Sequence, residues 1–81
     1  MLSKHGQLAE IQRRGEWYKE QVEKLEKRIE ELEGYLEVKG QSELAYQEWE
    51  YRLMLAKGEC ASLKLAIISQ RALYKIVRDG F

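Results

Sequence analysis

The residues with the most chemistry to offer lie in two clusters near opposite ends of the chain. Arg13, Arg14, Trp17 and Tyr18 come first, and Arg71, Tyr74, Lys75 and Arg78 close the sequence. Guanidinium groups grip phosphate and carboxylate oxygens with two parallel donors, and they stack on aromatic planes. Pooled, the eight side chains would make a basic, aromatic site for a nucleotide-like anion or an acidic protein surface. Trp17 is the sharpest of them. At helical spacing it falls beside the apolar seam described below, with Arg13 and Arg14 one turn before it and Gln21 one turn after. An off-seam tryptophan beside arginines suits an interface anchor or a base-stacking platform. The plainer role is packing, either under residues 1–7 or inside an oligomer.

Catalysis and metal binding have far less to draw on. The chain of 81 residues has a single histidine, His5, and a single cysteine, Cys60. One of each cannot make a Cys/His zinc site, and one cysteine cannot form an internal disulfide. His5 has no Ser, Cys or carboxylate placed by sequence to work with it, whereas catalysis needs convergent, positioned groups. Cys60 falls at a seam position, where it reads as a small buried hydrophobe. The expectation is therefore no enzyme, no metal and no cofactor.

The elements that must position these residues are helices. Leu8, Ile11, Gly15, Tyr18, Val22, Leu25, Ile29, Leu32 and Leu36 recur in steps of three and four, a heptad seam set among Glu, Lys, Arg and Gln. The chain contains no proline, and its 14 basic and 14 acidic residues balance. This pattern predicts a first helix over 7–39, with Ser3 as an outlying cap signal that Gly6 weakens. Gly40-Gln41-Ser42 reads as a turn at 40–42, glycine in the left-handed position after a helix and Ser42 as the next N-cap. The competing reading is one unbroken helix through Gly40 in a parallel coiled coil.

A second helix is predicted over 43–78, with residues 79–81 as a tail. Its seam is Tyr46, Trp49, Leu53, Ala56, Cys60, Leu63, Ile67, Gln70, Tyr74 and Val77. Folded about Ser42–Glu43, the two seams match in layers from Leu36 on Trp49, through Leu32 on Leu53 and Ile29 on Ala56, to Leu8 on Val77. Gly15 and Gln70 meet as a defect in this series. Such a layer can fix the register, hold a water or open a small pocket between Tyr18, Arg71 and Tyr74. The fold class is all-α, an antiparallel two-helix hairpin in a single domain.

The second helix also carries an apolar stripe on its opposite side: Tyr51, Met54, Leu55, Gly58, Ala61, Ser62, Leu65, Ile68, Ala72 and Ile76. One partner helix cannot cover both sides, and a continuous apolar strip is costly to leave in water. The stripe is therefore the candidate oligomer interface, giving a homodimeric four-helix bundle or a higher oligomer, and a different protein on the same stripe is the alternative. Charge is polarised. Residues 1–19 with 57–81 hold nine basic and four acidic residues, net +5, which leaves −5 for residues 20–56. Head-to-tail pairing of hairpins would neutralise both.

Lys57, Lys64, Arg71 and Arg78 recur once per heptad on the second helix, and their simplest partners are Glu26 or Glu33 of the same hairpin, or the row Glu16, Glu23, Glu30 and Glu37 of another copy. A track for nucleic acid would carry a stronger net positive charge, so nucleic acid is not an expected partner. Ala61–Arg78 has the look of a basic amphipathic helix, but its pairing with the first helix argues against a role on membranes. No stretch is long or apolar enough for a transmembrane span or a signal peptide, and the expected location is cytoplasmic.

The function expected from these features is a small protein–protein interaction module acting as an inhibitor, adaptor or regulator. Phages and other mobile elements encode inhibitors of this size, a fold-level analogy only. The alternatives are an oligomer that sequesters a nucleotide-like anion at its basic end, and a structural assembly protein.

Overall fold

A computed structural model describes residues 3–80 as two long antiparallel helices, α1 (Lys4–Leu36) and α2 (Glu43–Asp79). They form a rod of 59 × 18 × 16 Å. The unbroken helix is thereby set aside, since the chain reverses between Leu36 and Glu43. Gly40 makes the reversal at φ 83°, a conformation that costs an L side chain about 1–2 kcal/mol. Ser42 begins α2 as its N-cap and accepts a hydrogen bond from the Ala45 amide at 3.2 Å.

The helix ends depart from the expected bounds by a turn or less, and each shift has a local cause. The first helix begins at Lys4 rather than Gln7, because the Ser3 side chain accepts from the amide of Gly6 at 3.1 Å. That cap satisfies a donor the helix start would leave orphaned, and it outweighs the helix penalty of glycine. At the other end α1 stops at Leu36 rather than Lys39. The amides of Glu37 and Val38 tighten onto the carbonyls of Gly34 and Tyr35. The Gln41 side-chain amide then donates to the carbonyls of Tyr35 (2.9 Å) and Val38 (3.1 Å). The turn thus occupies 37–42 rather than 40–42. The second helix runs through Asp79, one residue beyond the expected 78, and Gly80 closes it at φ 81°.

Among the described residues every buried side chain belongs to the expected seam: Ile11, Val22, Leu32, Leu53, Ala56 and Cys60. Leu32, Leu53 and Ala56 form the centre of the core, with Ile29, Leu36 and Trp49 packed around them. That grouping is the one the antiparallel register requires. Tyr46 is the exception. It is 42% exposed, and Ala45 is the half-buried residue of that turn. Its opposite layer would be Lys39, which lies beyond the end of α1, so no partner side chain is there to cover it. Tyr35, off the seam, instead packs on Trp49 with ring centroids 4.7 Å apart, and Arg52 lies 5.0 Å from the Trp49 ring centre.

None of the described helices is long and apolar enough to cross a membrane.

Two variants check this core. Leu32→Ala is expected to cost about 2–5 kcal/mol, read by chemical denaturation at fixed protein concentration. Gly34→Ala is expected to add up to about 1 kcal/mol, since a Cβ there meets nothing within 4 Å and the helix interior favours alanine.

Candidate functional site

The two clusters singled out in the sequence end up on different surfaces. Arg71, Tyr74, Lys75 and Arg78 line one side of an open cleft of about 590 Å³ near the open end of the hairpin, together with Ile67 and Gln70. Its other wall is α1, through Ile11, Gln12, Gly15, Glu16 and Lys19. Arg13, Arg14, Trp17 and Tyr18 do not line it. Arg14 is held by Glu10 at 2.8 Å across one helical turn. Trp17 stands 55% exposed on α1 with its ring edge-on to Tyr18, centroids 5.4 Å apart at 71°. Residues 4–7 continue the helix and do not fold over it.

The cleft forms where the seam has its defect. Gly15 contributes no side chain, and a Cβ built on it would meet nothing within 4 Å. Opposite, the Gln70 carbonyl oxygen Oε1 is buried with no hydrogen-bond partner among the described residues. The layer therefore holds a cavity and an unsatisfied acceptor. The anticipated pocket between Tyr18, Arg71 and Tyr74 is there in part, with Tyr18 outside it. Gln12 and Lys19 complete the wall, and neither was singled out in the sequence. The signal for both lay in the heptad: Gln12, Lys19, Glu26 and Glu33 recur every seven residues along the edge of α1 that faces the basic row of α2.

One heptad farther from the open end the same edge closes on itself. Glu26 pairs with Lys64 at 3.6 Å, one of the two intramolecular partners expected for the basic row of α2. Both groups are more than half exposed, so the pair adds little to stability. Within the cleft, the Arg78 Nε donates to Asp79 at 3.0 Å, and this hydrogen bond raises the guanidinium pKa further above its ordinary value. Lys19, Arg71 and Lys75 have no ion-pair partner among the described residues.

The second surface is the outer face of α2. Tyr51, Met54, Leu55, Leu65, Ile68 and Ile76 are between 48% and 65% exposed. Gly58, Ala61, Ser62 and Ala72 between them are exposed as well, so every residue of the anticipated stripe lies on the surface of the hairpin. Leu44 extends it toward the turn at 77% exposure.

Cys60 is buried in the seam and forms no disulfide. Among the described residues no group of three or more His, Cys, Asp or Glu side chains is placed to hold a metal ion. Comparisons with protein-family models, with curated proteins and with solved structures find no match for this chain.

Gln70→Leu provides a direct check on the defect layer. Removing a buried unsatisfied acceptor is expected to raise stability by about 1 kcal/mol in chemical denaturation. An unchanged or lower stability would mean that Oε1 has a partner, such as a bound water.

Proposed function

We propose that this protein is a non-enzymatic helical interaction module that works by occupying a partner surface, and that a second copy of the chain covers the outer face of α2. The observation that carries the reading is the exposure of that face. Among the described residues only six side chains are buried between the helices, while six large apolar residues of the stripe stand at about half exposure or more. The strip from Leu44 to Ile76 is roughly 50 Å long at 1.5 Å per residue. Small residues along it allow close approach of another helix.

Charge favours a second copy over an unrelated occupant, and it favours an antiparallel one. Divided at the Val22–Leu63 layer, residues 4–22 with 63–79 hold eight basic and four acidic residues, net +4. The half around the turn is correspondingly −4, since the whole chain is neutral. Two hairpins set head to tail through α2 bring each positive half against a negative one. Complementarity of this kind fixes orientation as well as attraction.

Sedimentation or native mass spectrometry tests the reading. The chain is expected as an even-numbered oligomer at micromolar concentration. Leu65→Lys combined with Ile68→Lys is expected to give monomers that keep their helical circular dichroism. A monomeric unmodified chain would overturn self-association and leave the stripe to a different protein.

A further inference from the structure

We infer that the cleft at the Gly15–Gln70 layer binds a small phosphate ester that also carries a hydrogen-bond donor, a ligand of the nucleoside monophosphate class. The cleft borders the α2 stripe at Lys75, which follows Ile68 by one heptad, while Lys19, Arg71 and Arg78 lie on its seam side.

The first argument is the failure of charge compensation along one edge. The α1 row Gln12, Lys19, Glu26 and Glu33 runs antiparallel to the α2 row Arg78, Arg71, Lys64 and Lys57. The register that pairs Glu26 with Lys64 at 3.6 Å sets Lys19 across from Arg71 one heptad on, and Gln12 across from Arg78. No carboxylate of the α1 row is available at this end. Four cations line the cleft, Lys19, Arg71, Lys75 and Arg78, against one carboxylate, Glu16, and only Arg78 has an ion-pair partner among the described residues. Like charges held across a cleft repel, and an anion of charge −2 seated between them reverses the sign of the interaction. Arginine supplies the planar fork that phosphate oxygens fit.

The second argument is the floor. Gln70 Oε1 is buried without a partner, and an acceptor in that position calls for an N–H or O–H from the ligand. Inorganic phosphate on the cations would leave this acceptor and the space over Gly15 unused. Ile11, Ile67 and Tyr74 give that space apolar and aromatic walls suited to a flat ring. The volume of about 590 Å³ lies within the range of small-molecule sites, roughly 300–1,000 Å³. The row also limits the ligand's length. Beyond Lys19 it turns to Glu26, already paired, so the cationic track ends after one heptad and does not follow a nucleic-acid strand.

Isothermal titration of the full chain with adenosine monophosphate tests this, with inorganic phosphate and adenosine as the separated halves. Saturable binding at one ligand per chain is expected, at least tenfold tighter than for either half. Arg71→Glu supplies the missing carboxylate opposite Lys19. It is expected to abolish binding while raising the melting temperature of the ligand-free chain, a result that unfolding would not give. Lys19→Glu is the second variant and is expected to act in the same way. Gln70→Leu is expected to weaken adenosine monophosphate about tenfold and leave phosphate unaffected, and Trp17→Ala to change neither. No saturable binding at millimolar ligand would overturn the proposal, as would binding indifferent to both charge reversals. Equal affinity for phosphate and adenosine monophosphate would also overturn it, by reducing the cleft to a general anion site.

Discussion

Leu32 sits against Leu53 and Ala56 with 1% of its surface exposed, and the hairpin is organised around that contact. Here a large residue of α1 meets a small one of α2, so the helices approach closely and their side chains interdigitate. The contact fixes the register of the whole rod, because each further layer follows by steps of three and four along two straight helices. The aromatic pair Tyr35–Trp49 and the Glu26–Lys64 bridge both sit where this register puts them. It also accounts for the defect, since pairing Leu32 with Leu53 obliges Gly15 to face Gln70.

A seam one side chain wide leaves much surface unaccounted for. Two helices in a rod 18 × 16 Å across can exclude water only from the line where they touch. What remains divides by chemistry. The edge of the seam takes charge, compensated near the middle and uncompensated at the open end. The back of α2 takes apolar residues with nothing in the hairpin to cover them. The first surface suits a small polar ligand and the second suits another helix, and neither demands the other.

Much of this was legible in the sequence because hydrophobic period, glycine position and capping residues all gave the same answer. Gly40 and Ser42 marked the turn, and the seam residues named the core. The α2 stripe could be read as surplus because α1 has only one apolar face. The errors came where the decisive contact is a side-chain hydrogen bond rather than a pattern. Ser3 starting α1 and Gln41 ending it are both of that kind, and Tyr46 lost its cover only because α1 ends early. The basic clusters were legible as residues but not as a site. Proximity in sequence put Arg13, Arg14 and Trp17 together, whereas the cleft is drawn from one edge of each helix. It therefore takes Gln12 and Lys19 instead.

The turn at Gly40 has a consequence for how the molecule opens. Leu36 and Trp49 are joined by a short loop, while Leu8 and Val77 are joined by nearly the whole chain. Closing the first layer carries most of the loop-entropy cost, and each later layer adds little once its neighbour is formed. The hairpin is in this sense a zipper with its fixed stop at the turn, and fraying starts at the free end. The Gly15–Gln70 defect loosens the teeth at that end, several layers from the stop. A molecule bridging both helices there would act as a clasp, holding shut the part of the rod that opens most readily.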